Sequence, residues 1–187
     1  MCCFNTDHRI GGQVVMQGLR SRETIMTRPF ITIRPAEQSD FEQLCLLWRQ
    51  LDEFHRIRDP NRFHQPGGTQ RPGGYIDDLI DRVDRALLVA ESRSGQLVGL
   101  CSVIIYTRPE SIVKPAGSIF ELDNLVVDEL WKRKGIARLL HREAVQWSRN
   151  HGATELTLKV YAFNVSAQAF YESIGFKPVL HHMACTI

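Results

Sequence analysis

The residues best suited to chemistry lie in the middle of the second half of the chain. An apolar segment over residues 125–127 leads into the basic residues 132–134, and Gly135 follows at once. Apolar residues at helical spacing begin directly after this glycine. Backbone N–H groups at a helix N-terminus, with cations beside them, bind anions such as phosphate groups. The pattern therefore predicts an anion-binding turn between a strand and a helix.

Two common nucleotide-binding motifs do not fit this segment. A P-loop needs two spaced glycines followed by Lys and then Ser or Thr, and a dinucleotide-binding turn needs Gly-x-Gly-x-x-Gly after its first strand. The sequence contains neither pattern. The remaining alternative is a solvated basic turn that binds no ligand. Gly135 would then be present only because glycine adopts backbone conformations that other residues rarely adopt.

The elements around this turn must hold it in place. The apolar spacing between Gly135 and Gly152 predicts a helix, and residues 154–161 alternate between apolar and polar as a strand does. A short helix is predicted over residues 166–174, closed by Gly175-Phe176, and a last strand after it. The order from residue 119 onward is strand, turn, helix, strand, helix, strand.

The upstream sequence supplies the rest of a sheet and its covering helices. We predict strands at about residues 31–34, 86–91 and 96–106 and helices at about residues 39–56 and 75–84. Polar loops separate them at residues 57–74, which are rich in Pro and Gly, and at residues 107–117. This order predicts an α/β protein with a mixed sheet and helices on both faces.

The composition narrows the class of protein. The chain has 187 residues, 43% of them hydrophobic, and a formal net charge of +2, which does not favour nucleic acid as a partner. No apolar run approaches the roughly 18 residues of a membrane span. The five cysteines form no C-x-x-C pair, so we expect a reducing, cytoplasmic location. His181 and His182 would point to opposite faces of a strand, so no metal site is predicted.

Residues 119–180 resemble the coenzyme-binding half of the GNAT superfamily of acetyl-CoA-dependent N-acetyltransferases. The resemblance rests on Lys132-x-x-Gly135-x-Ala137 before a helix, followed in order by Asn164, Ala167, Tyr171 and Gly175-Phe176. The family usually has Arg or Gln where this chain has Lys132, and Arg133 and Lys134 keep the charge. A looser resemblance upstream extends the match over most of the chain.

The resemblance implies a fold and a domain layout. The expected fold is that of an acyl-CoA N-acyltransferase, with a mixed sheet of six to seven strands flanked by about four helices. Residues 27–187 would form a single N-acetyltransferase domain. Residues 1–26 show no periodic pattern, and we expect a disordered extension or a natural start at Met26.

The resemblance also implies acetyl-CoA as cosubstrate and assigns its binding residues. The strand before the turn would diverge from the next strand, and its free backbone groups would bind the pantetheine arm and polarise the acetyl carbonyl. The residues implied in coenzyme binding are Leu125, Val126, Val127, Lys132, Arg133, Lys134, Gly135, Ile136, Ala137, Arg138, Asn164, Ala167 and Tyr171. Asn164 would bond the pantetheine arm or cap a helix, or do both.

Acetyl transfer to an amine requires a neutral nucleophile. A lysine-like amine has a pKa of about 10.4, so its neutral form lies about 4–5 kcal/mol uphill at pH 7. Glu121, in the apolar strand, is the candidate general base, because some family members carry a catalytic glutamate at this spacing. Tyr171 is the candidate acid that protonates the leaving thiolate. The alternatives are an ordinary strand carboxylate for Glu121 and core packing for Tyr171.

The acceptor pocket is expected near the end of the first helix and the two polar loops. Candidate acceptor-binding residues are Asp52, Glu53, His55, Tyr75, Tyr106 and Asp123. A solvated helix end is the alternative for the first three. Asp123 would share the strand face of Glu121 in a regular strand, and a bulge would break that alternation.

The leading functional hypothesis is an N-acetyltransferase that acetylates a primary amine by direct attack in a ternary complex, with a small-molecule acceptor. A protein lysine or N-terminus is the alternative acceptor. A non-catalytic acyl-CoA-binding module is a hypothesis of a different class. We expect no nucleic acid, membrane or metal partner, and a monomer or homodimer.

Overall fold

The computed structural model describes residues 30–63, 71 and 73–185. The predicted extension over residues 1–26 lies outside the described residues. The elements in chain order are β1 (Ile31–Pro35), α1 (Phe41–Arg58), α2 (Gly73–Ile80), β2 (Arg85–Ser92), β3 (Leu97–Arg108), β4 (Gly117–Val127), α3 (Ile136–Asn150), β5 (Leu156–Leu158) and α4 (Val165–Ser173). Short 3₁₀ turns at Gln38–Asp40 and Glu129–Trp131 precede α1 and α3.

The described strands form one sheet in the order β1-β2-β3-β4-β5. Neighbouring strands are antiparallel from β1 to β4, whereas β4 and β5 are parallel. Parallel neighbours need a long crossover connection, and α3 supplies it. The mixed sheet with helices on both faces is the architecture that the sequence predicts.

One side of the sheet, the α1–α2 face, is covered by α1 and α2. Apolar residues of α1 recur at Leu44, Leu47 and Trp48, which places them on one stripe of the helix. They pack with Ile76 of α2 against strand residues such as Leu100. A fully buried Leu or Ile contributes about 2 kcal/mol through the removal of its apolar surface from water.

The opposite side, the α3 face, is covered by α3. Ile136, Leu140 and Ala144 lie one helical turn apart and pack against the buried Cys101 of β3. The helix approaches the strand closely at Gly99, where an added Cβ would lie 2.8 Å from the Val126 carbonyl oxygen and 3.1 Å from Leu140. The glycine is therefore required by packing at this crossing.

The sheet has fewer strands than the sequence predicts. Five strands are present in the described chain instead of six to seven, because residues 177–185 form no strand. Val179 and Leu180 supplied the apolar pattern for that strand, but both are more than four-fifths exposed. No burial there compensates the entropy cost of ordering the backbone.

The strand predicted over residues 154–161 is shortened to Leu156–Leu158. Its pairing with β4 stops where β4 contains a bulge at Asp123, and a bulge bends the strand that carries it. Among the helices of the described residues, none combines the length and the apolar composition that a membrane crossing requires.

Candidate active site

The edge of β4 that faces β5 is unpaired over its last residues. The parallel ladder runs from Phe120↔Leu156 to Leu122↔Leu158, whereas β4 itself continues to Val127. Beyond Leu122, the described chain pairs with β4 only from the β3 side. This arrangement leaves backbone donors and acceptors directed into the space beyond β5.

The hydrogen-bond pattern identifies which backbone groups face that space. The Asp128 N–H donates to the Val98 carbonyl at 2.9 Å. Since antiparallel neighbours bond at alternate residues, Val126 bonds across to β3, and Leu125 and Val127 direct their N–H and C=O groups to the open edge. A ligand containing amides could pair with these groups as a further strand would.

A bulge at Asp123 reorganises the side chains just before the open edge. Ser102 pairs with Asn124 and Val103 with Leu122, so Asp123 is an extra residue on β4. Leu122 packs on the α3 face, which puts Glu121 on the α1–α2 face. The regular alternation that would place Asp123 beside Glu121 is thus broken.

The bulge nevertheless keeps the Asp123 carboxylate close to Glu121. It accepts hydrogen bonds from the Asn124 side-chain amide at 2.6 Å and from Ser102 Oγ at 3.5 Å. Although part of this side chain reaches solvent, the surrounding protein displaces much of its water. That desolvation, and secondly the charge of Glu121, raise the pKa of Asp123.

Two tyrosines lie close to these carboxylates. Burial raises the pKa of Tyr75, with the charge of Asp123 as the next cause, and burial followed by the charge of Glu121 raises the pKa of Tyr106. The ring of Tyr75 packs edge-on against Trp48 at 5.5 Å between centroids. The structure therefore brings Tyr75, Tyr106, Asp123 and Glu121, all predicted as site residues, close together on the α1–α2 face, and the space that they border is called the acceptor cleft below.

Glu121 has a partner that the sequence analysis missed. Lys159 Nζ donates to Glu121 Oε1 at 2.9 Å and to Oε2 at 2.8 Å. The Glu121 side chain is 12% exposed, whereas that of Lys159 is 83% exposed. The hydrogen bond to Glu121 raises the pKa of Lys159. The sequence signal that could have indicated this pair is the alternation of side chains along a strand. Thr157 pairs with Glu121, and Lys159, two residues later, would lie on the same face of the sheet.

The anion-binding turn has the backbone form that the sequence predicts. Gly135, the residue before the first residue of α3, has φ +84°, and Arg133 has φ +64°. No side chain caps this helix. The first bonds of the helix run from Arg138 N and Leu139 N to the Gly135 carbonyl, so in the described chain the N–H groups of Ile136 and Ala137 have no acceptor. These N–H groups are available to an anion.

The cations of the turn are partly engaged with their neighbours. Lys132 forms an ion pair with Glu129, and Lys134 Nζ lies 4.6 Å from the centre of the Trp131 ring. Arg138 donates to Ser173 Oγ at 2.9 Å and so ties α3 to α4. Among the described residues, Arg133 is the cation of the turn that has no such partner.

The residues at and on α4 that were predicted to bind the coenzyme also have structural roles. Asn164 caps the helix, since its Oδ1 accepts from Ala167 N at 3.2 Å. The Tyr171 ring packs on the α3 face, edge-on to Phe176 at 5.7 Å. Both structural alternatives for these side chains are therefore present.

The environment of Tyr171 keeps its hydroxyl protonated. Burial raises the pKa of Tyr171, with the nearby Cys101 as the second cause. Burial likewise raises the pKa of the Cys101 thiol, to about 12. In the described part of the chain, no group bonds the Tyr171 hydroxyl, so its proton is available to a ligand.

The predicted acceptor residues of α1 have different surroundings. Asp52 accepts from Arg71 at 2.8 Å, and Glu53 forms an exposed pair with Arg56 one helical turn away. Glu53 thus matches the solvated helix end that was the alternative for these residues.

His55 belongs to an aromatic cluster that the sequence analysis missed. The cluster consists of Phe54, His55, Phe63, Tyr161 and Phe163. Tyr161 and Phe163 stack at 5.2 Å between centroids with planes 7° apart, and His55 packs against both. Burial lowers the pKa of His55. Phe54, His55 and Phe63 lie about 100 residues before Tyr161 and Phe163 in the sequence, and no local pattern links the two groups.

Sequence comparisons identify a family. A family model described as the acetyltransferase (GNAT) family matches residues 47–176. Human N-acetyltransferase 8 is 37% identical over 65 residues, which cover 35% of this chain and 29% of that protein. The N-acetyltransferase YhfO of Bacillus subtilis is 25% identical over 147 residues, or 79% of this chain and 90% of that protein. The match thus spans less than a third of the human relative.

Solved structures share the fold. The BH1408 protein from Bacillus halodurans superimposes with a TM-score of 0.78 at 20% identity, covering 83% of this chain and 99% of that one. The aminoglycoside N-acetyltransferase AAC(6')-Iy, solved in complex with CoA, has a TM-score of 0.66 at 16% identity, covering 87% of this chain and 98% of that one.

Proposed function

Because the chain belongs to the acetyltransferase (GNAT) family, we propose that it transfers the acetyl group of acetyl-CoA to a primary amine, by direct attack while both substrates are bound. One observation carries this proposal. The unpaired edge of β4 leads, within ten residues, to the uncapped N-terminus of α3. One continuous segment thus offers strand-like amide bonds and an anion site, which match a pantetheine arm and a pyrophosphate.

The coenzyme half of the site fits acetyl-CoA through its backbone. Leu125 and Val127 would pair with the pantetheine amides, and the N–H groups of Gly135, Ile136 and Ala137 would bond the pyrophosphate oxygens. Positive φ at Arg133 and Gly135 turns the chain so that successive N–H groups converge. Acetyl-CoA supplies the activated acetyl group, and the residues of the turn would bind the negatively charged pyrophosphate of the coenzyme.

Glu121 would take the proton from the acceptor amine. It lies on the face of the sheet opposite Tyr171 and beside the place where β4 and β5 separate. Its side chain is 12% exposed and holds the ammonium of Lys159. An acceptor ammonium would displace Lys159 and lose its proton to the same carboxylate. Asp123, whose pKa is raised, would add negative charge that attracts the acceptor.

Tyr171 would protonate the leaving thiolate. A thiol has a pKa of about 8.5, so its thiolate is a competent leaving group that gains from a nearby proton donor. Burial raises the pKa of Tyr171, which keeps the donor form dominant throughout the physiological range.

We propose a small-molecule amine as acceptor, bound in the cleft with Tyr75, Tyr106 and Asp123. Two carboxylates attract a cationic amine, and the aromatic rings supply flat apolar surface and cation–π contacts. A structural neighbour named as an aminoglycoside N-acetyltransferase is consistent with such an acceptor.

A protein lysine is the second candidate acceptor, and one contact favours it. Lys159 is a lysine side chain placed directly after the end of a strand, and it reaches both oxygens of Glu121. A peptide lysine presented in the same way would make the same contact.

The test is acetyl-CoA-dependent thiol release with a panel of polyamines, amino acids, aminoglycosides and lysine peptides. Transfer to one class, confirmed by the mass of the product, would support the proposal and choose between the two acceptors. Tight coenzyme binding with no transfer to any amine would instead support a non-catalytic acyl-CoA-binding module.

A further inference from the structure

Lys159 occupies the position that the proposed function assigns to the acceptor amine. Its Nζ donates to both oxygens of Glu121, at 2.9 and 2.8 Å. The Lys159 side chain is 83% exposed, so little packing holds it there. The contact with the carboxylate alone positions the ammonium group.

The backbone of Lys159 lies at the mouth of the opening between β4 and β5. Leu158 is the last residue of β5 and pairs with Leu122, and Lys159 follows it directly. The unpaired edge of β4 begins at the same level. The Lys159 amine is therefore tethered between the carboxylate and the edge that would hold the pantetheine arm.

We propose that Lys159 is a self-acetylation site, an inference that rests on the proposed function. The Lys159 ammonium passes a proton to Glu121, and the freed Nζ lone pair forms a C–N bond with the thioester carbonyl carbon as the C–S bond breaks. The nitrogen loses two protons in all. One ends on the coenzyme thiol and the other in solvent, so Lys-NH₃⁺ and acetyl-CoA yield acetyl-lysine, CoA and H⁺.

The other lysines lack this arrangement. The chain contains five lysines, at positions 114, 132, 134, 159 and 177. Lys132 pairs with Glu129, and Lys134 lies over Trp131, both at the anion-binding turn and not in the acceptor cleft. Within the described residues, Lys159 is the lysine that bonds the candidate base. A tethered amine gains a large effective concentration relative to a free one.

Acetylation would change the charge of the acceptor cleft. The product amide is neutral, so the ion pair with Glu121 is lost and the carboxylate becomes available to an external amine. The Glu121 contact also raises the pKa of Lys159. We therefore expect self-acetylation to accelerate from pH 7 to pH 9, as the neutral amine becomes more abundant.

The experiment is incubation of the full chain with acetyl-CoA, followed by intact mass and tryptic peptide mapping. Acetylation of Lys159 blocks cleavage there and yields one peptide spanning residues 150–187, since cleavage follows Arg149 and trypsin does not cut the Lys177–Pro178 bond. The matched variants are Lys159→Arg and Lys177→Arg. The full chain unfolded in urea serves as the control for chemical acetylation.

We expect one acetyl group per chain, at Lys159, added at least about tenfold faster than at Lys114 or Lys177. The rate per chain should not depend on protein concentration. The Lys177→Arg variant should retain the modification, and the Lys159→Arg variant and the unfolded chain should lose the preference.

Equal acetylation of all exposed lysines, or a rate proportional to protein concentration, would overturn the proposal. The proposal would also be overturned if the protein acetylated an external amine while Lys159 stayed unmodified. The proposed function would then stand. If neither Lys159 nor any amine were acetylated, both proposals would fall.

Discussion

The two halves of the candidate site are built from different parts of the chain. The coenzyme half consists mainly of backbone: the open edge of β4, the positive φ of Gly135 and the uncapped N-terminus of α3. The acceptor half consists of side chains that already contact one another, such as Glu121 with Lys159 and Asp52 with Arg71. We infer that binding of the coenzyme is fixed by fold geometry and choice of acceptor by replaceable side chains.

This difference has a physical basis. Backbone groups at a helix terminus keep their orientation whatever side chains surround them, so they provide a preorganised site. The ion pairs of the acceptor half must open before a cationic ligand can enter. Substitutions in the two halves should accordingly affect different measured quantities.

The largest change in rate is expected from Glu121→Gln. Loss of the base should lower kcat/KM by about 100-fold, a typical contribution of general base catalysis. Acetyl-CoA affinity, measured by calorimetry, should stay constant because the coenzyme half is untouched.

The matched control for Glu121→Gln is Glu91→Gln. Glu91 is a half-buried strand carboxylate bonded to Arg34 at 2.6 Å, on β2, which β3 separates from β4. An equal loss of rate in both variants would show that Glu121 acts through stability and not as a base.

A smaller loss of rate is expected from Tyr171→Phe. The ring still packs against Phe176, so the free energy of unfolding should change little. Because the leaving thiolate loses its proton donor, kcat should fall by about tenfold. Since burial raises the pKa of Tyr171 above its ordinary value of about 10, the wild-type rate should not decline through its ionisation below pH 9. A fall in acetyl-CoA affinity equal to the fall in kcat would assign Tyr171 to binding instead.

Arg133→Gly should separate stability from binding within the coenzyme half. Removing a side chain from a residue with φ +64° should stabilise the fold by about 0.5–1 kcal/mol, as measured by urea unfolding. Loss of the cation should weaken acetyl-CoA binding by only about fivefold, because the backbone N–H groups remain. Arg133→Ala keeps the strain and loses the charge, so it should weaken binding equally without the gain in stability. Unchanged stability in Arg133→Gly would argue against strain at this turn.

The smallest effect concerns acid stability in the acceptor half. Burial lowers the pKa of His55, so between its folded value and about 6.5 the unfolded chain binds more protons than the folded one. Stability should therefore fall as the pH drops through this window. In the His55→Phe variant, Tm should therefore decrease less than in the wild type as the pH is lowered through this window. The comparison variant is His141→Phe on α3, where burial followed by the charge of Arg138 lowers the pKa in the same direction. A pH dependence of Tm unchanged in both variants would contradict this account.

The parts of the site that are local in sequence could be predicted, and the parts that depend on distant contacts could not. Gly135 at the start of a helix and Asn164 as a helix cap follow from spacing within a few residues. The Glu121–Lys159 pair joins residues 38 positions apart, and the aromatic cluster joins α1 to residues 161–163. Which side chains meet across such distances is decided by packing, which a local pattern does not contain.

The mixed sheet and its covering helices were predicted correctly, whereas the strand count was too high. Apolar residues near position 179 indicated a strand, but strand formation also requires an unpaired neighbour and a surface to bury against. Pairing beyond β5 is lacking in the described chain, and the sequence pattern does not encode that. The roles of Glu121, Tyr171 and the coenzyme-binding residues remain predictions for the experiments above.

The measurement that tests the central claim most directly is calorimetric titration of acetyl-CoA into the wild type, Gly135→Glu and Gly152→Glu. The two glycines lie at opposite ends of α3 with φ of +84° and +88°, and an added Cβ meets no atom within 4 Å at either position. Both variants therefore carry similar backbone strain, and only Gly135→Glu puts a carboxylate at the anion-binding turn. We predict that Gly152→Glu binds as the wild type does and that Gly135→Glu loses at least about 100-fold in affinity, or about 2.7 kcal/mol. Equal affinity in all three proteins would contradict the assignment of this turn to the coenzyme.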